Sequence, residues 1–188
     1  MNTSGSEHYY HWVTELKSYE SKSFMLRLVM PEDAADLFFC YSNPLAQAIF
    51  NSDHCTSNFC YSTLAEMKGC IDGWLDAYNK RHFVRFSIID KQNGKAAGTA
   101  EIFGSRKRHE HSVLRIDIHP KYEHKEYIDE LLCTADSFFY DFDCYRIVSK
   151  AIPEAAERIL ALMNNGYCYY PANAEWERED YYIKMRTH

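Results

Sequence analysis

Ser112-Val-Leu-Arg-Ile-Asp-Ile-His-Pro-Lys-Tyr-Glu-His-Lys-Glu-Tyr-Ile-Asp-Glu-Leu-Leu132 decides the reading of this chain. Leu114, Ile116 and Ile118 alternate with Val113, Arg115 and Asp117, so the segment up to Ile118 reads as a strand. Pro120 ends it, a charged loop follows, and Ile128, Leu131, Leu132, Ala135, Phe138 and Phe139 continue as a helical stripe. A loop that closes a strand and opens a helix presents backbone N–H groups without helical partners, and that geometry holds phosphates. Close approach of a pyrophosphate favours glycine in such a loop, and Glu123 to Ile128 contains none.

Working outward, the same periodicities repeat. Phe24 to Val29 reads as a strand, and Pro31-Glu32-Asp33 opens a helix with Ala34, Leu37, Phe38 and Tyr41 on one face. A longer helix from about Ser62 to Asn79 carries Leu64, Met67, Ile71, Leu75 and Tyr78. Phe83 to Ile89 and Lys95 to Phe103 form a hairpin across Asn93-Gly94. Beyond the opening stretch come a strand from Tyr145 to Ala151 and a helix from Pro153, with Ala156, Ile159, Leu160 and Met163 facing inward. Asn164-Asn165-Gly166 supplies that helix's left-handed cap. Tyr167 to Tyr170 and Tyr181 to Met185 are the last strands. This order predicts an α/β (α+β) fold: a mixed, mostly antiparallel twisted sheet of about seven strands with helices on both faces.

With 188 residues the chain is one domain, 23–188, behind an N-terminal extension, 1–22. A formal charge of −6 without a basic block argues against nucleic acid and anionic membrane surfaces as partners. There is no apolar run long enough to span a bilayer. Met1 to His8 lacks a secretory pattern, so the seven cysteines read as reduced thiols in a cytoplasm. His54, Cys55 and Cys60 lack the further ligands that tetrahedral zinc requires, and no metal is expected. Tyr9, Tyr10, Trp12, Leu16 and Tyr19 mark a segment that packs on its own domain or forms a homodimer contact.

Leu26-Arg27-Leu28 before Pro31-Glu32-Asp33-Ala34, the hairpin ending Gly98-Thr99-Ala100-Glu101-Ile102, Pro120-Lys121-Tyr122 after the alternating strand, and Asn165-Gly166-Tyr167 before a strand stand in an order that resembles the GNAT superfamily of acetyl-CoA-dependent N-acetyltransferases. The nearest branch is the one that acetylates ribosomal-protein N-termini, and the resemblance spans Phe24 to Met185. It implies acetyl-CoA as co-substrate, an amine acceptor (a small molecule or a protein N-terminus) and direct attack of the amine on the thioester. It also implies a pyrophosphate on the loop after the family's fourth strand. The family's loop pattern falls here on Glu123, His124, Lys125, Glu126, Tyr127 and Ile128, where the usual first Arg or Gln is Glu123 and the usual glycines are His124 and Glu126. The backbone of Ile116 and Ile118 is the expected seat of the pantetheine arm. Two carboxylates about 5 Å from a phosphate would each cost roughly 3 kcal/mol at an effective dielectric near 20, so weakened CoA binding is expected. Lys121, His124 and Lys125 offset part of that repulsion.

The family's frequent base and tyrosine fall on Val113 and Leu162, which cannot transfer protons. Asp117, Glu101 and His119 are the substitutes within reach of the same strand. Two functions follow: an N-acetyltransferase moving an acetyl group to a primary amine, or a catalytically degenerate protein that keeps the fold as a binding or regulatory module.

Overall fold

A computed structural model describes residues 16–53, 59–104 and 110–187. His54 and Cys55 of the cysteine cluster, and Tyr9, Tyr10 and Trp12, lie outside those residues; among the described ones no group of three or more His, Cys, Asp or Glu is placed to hold a metal. No described helix is long and apolar enough to cross a membrane.

The strands are β1 (Tyr19–Glu20), β2 (Phe24–Leu28), β3 (Phe83–Asp90), β4 (Ala96–Gly104), β5 (Ser112–Ile118), β6 (Arg146–Lys150), β7 (Cys168–Tyr170) and β8 (Tyr181–Met185). They form one sheet in the order β1-β2-β3-β4-β5-β6-β8-β7. Every pairing is antiparallel except β5 with β6. The eighth strand beyond the expected seven is the two-residue β1, too short for an alternation to announce. Its Tyr19 is buried and packs edge-on against Phe86 and Phe138.

Helices cover both faces. On one lie α1 (Ala34–Tyr41), the short α2 (Pro44–Gln47) and α3 (Leu64–Asn79), with Leu37, Tyr41, Met67, Ile71 and Trp74 buried. On the other lie α4 (Lys125–Ala135), α5 (Phe138–Asp141) and α6 (Ala156–Asn164), packed over Phe86, Ile88, Leu114, Ile116 and Ile118. Burying each such large apolar side chain contributes roughly 1.5–3 kcal/mol. The stripe predicted as one helix from Ile128 to Phe139 is two, because α4 ends at Ala135 and the chain turns before α5. Both segments still put their apolar residues into the same core.

The predicted inward face of α6 is largely turned outward. Leu160 and Met163 are exposed, while Ala155, Arg158, Ala161 and Leu162 are buried. The expected face followed the larger apolar side chains, whereas the buried one carries Arg158, whose guanidinium is paired with Glu123. Its end is as predicted: Gly166 sits at φ +80°, and Tyr167 N–H donates to the Leu162 carbonyl at 3.0 Å.

Gly98 fixes how close β4 and β5 can come. A Cβ there would sit 2.1 Å from the Asp117 carbonyl oxygen and 2.6 Å from the Ile118 Cα. Only glycine allows this approach.

Candidate functional site

The strand that opened the sequence is the middle of the site. His119 N–H donates to the Ala97 carbonyl at 2.8 Å. In an antiparallel ladder the direction of the peptide groups alternates, so Asp117, Arg115 and Val113 bond to β4 through Thr99, Glu101 and Phe103. The peptide groups of Leu114, Ile116 and Ile118 therefore turn to the opposite edge, toward β6. There the parallel pairing covers only Ser112–Ile147 and Val113–Val148. Past Val113 the strands part, and Ile116 and Ile118 border the opening.

That opening holds a side chain. Arg158 of α6, 4% exposed, donates from NH1 to the Ile116 carbonyl at 2.7 Å. Its Nε and NH2 grip both carboxylate oxygens of Glu123 at 2.6 and 2.7 Å. Burial opposes the Arg158 charge, but Glu123 outweighs it and holds the guanidinium charged. The residue before it, Glu157, accepts the Lys125 N–H at 2.9 Å. Lys125 is the first residue of α4, where the helix dipole favours an anion.

The remaining loop residues are spread over different tasks. Tyr127 packs edge-on against Phe24 and Tyr122, and Ile128 is in the core. Tyr122 donates to Asp90 at 2.6 Å; burial and that carboxylate raise its phenol. Lys125 Nζ pairs with Asp129. His124 and Glu126 are exposed.

On the α1–α3 face of the same strand lies a row of charges. Cross-strand pairing sets Arg85, Glu101 and Arg115 side by side on β3, β4 and β5. Arg85 and Arg115 each bond Glu101, one on each carboxylate oxygen, and all three are at most 3% exposed. The next row sets Ser87, Thr99 and Asp117 together. Asp117 is fully buried; its Oδ2 accepts from Tyr41 at 3.1 Å and lies 3.5 Å from Arg85 NH1. Burial pushes its carboxyl above the usual range, against the pull of Arg85, Arg115 and Arg158.

A cavity of about 660 Å³ opens over the first row. Phe59, Tyr61, Trp74, Phe83 and Phe103 wall it, and Arg85, Glu101 and Arg115 form its polar floor. Arg85 lies 4.1 Å over the Trp74 ring, and Arg115 lies 5.1 Å over Phe103.

Among the sequence candidates, Glu101 and Asp117 thus meet in one network through Arg85. Neither is open to solvent, and both Glu101 oxygens are committed to arginines. His119 stands apart at the end of β5, stacked on Phe39 with centroids 4.9 Å apart, its Nδ1 accepting the Lys121 N–H at 3.2 Å. Burial, then Lys121, lowers its pKa, so the ring is neutral at pH 7. Sequence reasoning missed Glu157, Arg158, Arg85, Arg115 and Trp74. The signal for Arg158 was its position three residues after Ala155 and three before Ala161. The signal for the arginine row was two arginines and a glutamate at inward positions of three adjacent strands.

No protein-family model and no curated protein sequence matches the chain. Its fold does match solved structures. A GNAT-family acetyltransferase of Bacillus anthracis superposes with TM-score 0.68 at 16% identity, over 90% of this chain and 99% of that one. A ribosomal-protein alanine acetyltransferase of Vibrio fischeri gives 0.66 at 18%, over 91% and 97%. RimJ of Mycobacterium smegmatis, in complex with CoA-disulfide, gives 0.71 at 12%, over 90% and 87%. At these identities the likeness is one of fold.

Proposed function

We propose that this chain, whose fold is that of the GNAT acetyltransferases, moves an acetyl group from acetyl-CoA to a primary amine. One observation carries the reading: two groups of the chain itself stand where the co-substrate's groups are expected, and each has the matching polarity. A guanidinium N–H meets the Ile116 carbonyl, as an amide N–H of a pantetheine arm would. A carboxylate oxygen meets the N–H at the start of α4, as a phosphate oxygen would. Both come from adjacent side chains of α6, so rotation of Glu157 and Arg158 exposes the edge of β5 and the end of α4 without moving the sheet.

Acetyl-CoA supplies a thioester carbonyl. In the transfer the amine nitrogen forms the C–N bond, the C–S bond breaks, and the thiolate takes up the proton that the amine gives to water. The chain's part is positioning, which supplies much of the rate in such a reaction. Ile116 and Ile118 offer backbone groups at the opening, and the floor of the aromatic cavity borders the same strand at Arg115. Glu101 acts as a positioning residue, since its oxygens hold Arg85 and Arg115 in place. Asp117 is assigned to the packing of α1 on the sheet, and His119 to the turn before α4.

The test is a calorimetric titration of the purified chain with acetyl-CoA and CoA, paired with melting curves. Binding in the micromolar to millimolar range is expected. Silence in both measurements at millimolar ligand defeats the reading. With an amine in hand, kcat/KM should rise tenfold per pH unit up to the amine's own pKa, because no side chain with a free oxygen or nitrogen is assigned as base. A plateau well below that pKa would assign one.

A further inference from the structure

We infer that the aromatic cavity over Arg85, Glu101 and Arg115 binds an amine that also carries a carboxylate and an aromatic or other flat apolar body. This rests on the transferase reading, and it names the acceptor's chemistry. Every side-chain nitrogen of Arg85 has an acceptor: Nε and NH2 go to Glu101, and NH1 goes to Tyr41 and Thr99. Arg115 is different. Its NH1 goes to Glu101 and its NH2 to the Asp53 carbonyl at 2.7 Å, but its Nε, in a residue 3% exposed, meets no acceptor among the described residues. A buried donor with no acceptor is destabilising by itself, and this one belongs to a residue that lines a cavity.

The partner must therefore arrive with an acceptor oxygen. A carboxylate oxygen makes the strongest such bond, because a guanidinium N–H pairs with an anion by a charge-assisted bond. Glu66, the acidic residue on the rim, has its carboxylate turned to the cap of α3, where it accepts from Ser62 and Thr63. The walls specify the rest. Phe59, Tyr61, Trp74, Phe83 and Phe103 offer ring faces and edges with few hydrogen-bonding groups. The volume of about 660 Å³ suits a small molecule.

The experiment titrates the full chain, without CoA, with three probes: phenylalanine, its carboxamide and 2-phenylethylamine. Phenylalanine is expected to bind at least tenfold tighter than 2-phenylethylamine, with the carboxamide between them, because a charge-assisted bond to a buried donor is the stronger kind. Arg115→Lys keeps the charge and removes Nε, so it should erase the ranking while Glu101 retains a cationic partner. Three equal affinities, or no binding of any probe to the parent, overturn the inference, and neither outcome depends on how the variant folds. If the transferase reading alone fails, CoA gives no signal while the probe ranking persists, so the two failures are distinguishable.

Discussion

Replacing Arg158 and Glu123 together should tighten CoA binding, whereas replacing Arg158 alone should not. In the parent chain the opening between β5 and β6 is held shut by two bonds to Glu123 and one to Ile116, at 2.6 to 2.7 Å. Arg158 is almost fully buried, and the Glu123 side chain is 11% exposed. After rehydration of both groups, three charge-assisted bonds of this kind leave a net closure of about 2–3 kcal/mol. The open form is then roughly one molecule in 30 to 160, and the apparent CoA affinity falls by the same factor. Glu123→Gln with Arg158→Ala removes the closure and also the carboxylate, so an affinity gain of about one to two orders of magnitude is expected. Arg158→Ala alone opens the gap but leaves Glu123 facing the phosphates, where repulsion at about 5 Å is worth roughly 3 kcal/mol and cancels the gain. Calorimetric titration with CoA reads both, and melting curves establish that each variant is folded. A double variant that binds CoA no better than the parent would refute the reasoning, because Arg158 would then be a ligand of CoA and not an occupant of its place.

Three further outcomes are expected. Glu157→Gln frees the Lys125 N–H of a competing charge, and CoA should bind about two- to fivefold tighter, the equivalent of about 0.3–1 kcal/mol at a helix N-terminus; unchanged affinity would place the phosphates elsewhere. Gly98→Ala forces β4 and β5 apart at Asp117 and Ile118, and a loss of about 2–3 kcal/mol should lower Tm by roughly 4–12 °C; an unaltered melting curve would contradict that contact. Asp117 has its folded pKa raised by burial, so the stability that its neutral form contributes is full below about pH 3.9 and is lost as pH rises through the folded value. The Tm of Asp117→Asn relative to the parent should therefore climb between pH 4 and pH 7, and a flat difference would mean that the carboxylate is not penalised by its surroundings.

The order of elements was legible because it rests on local periodicity. Alternation announced β5, Asn93-Gly94 announced the hairpin between β3 and β4, and Gly166 announced the end of α6. Each of these depends on residues a few positions apart, and each element is found where its pattern stands. The two-residue β1 is too short to carry a pattern, and the face of α6 was not legible because its buried side includes Arg158, whose partner Glu123 lies 35 residues away.

By itself the sequence determined the strand–loop–helix frame at Ser112 to Leu132, the glycine-free loop, and the likeness to an acetyltransferase fold. Only the tertiary structure decided what fills that frame. That Glu123 pairs with Arg158, 35 residues away, and that Glu157 caps α4, are facts about how α6 packs beside α4. Arg85, Glu101 and Arg115 form one row only because the registers of β3, β4 and β5 align them. A one-residue slip in any of these strands would send its charge to the opposite face. Local sequence sets which way a side chain points along its own strand. Which partner it meets, and whether water reaches it, is set by chain segments far away in sequence.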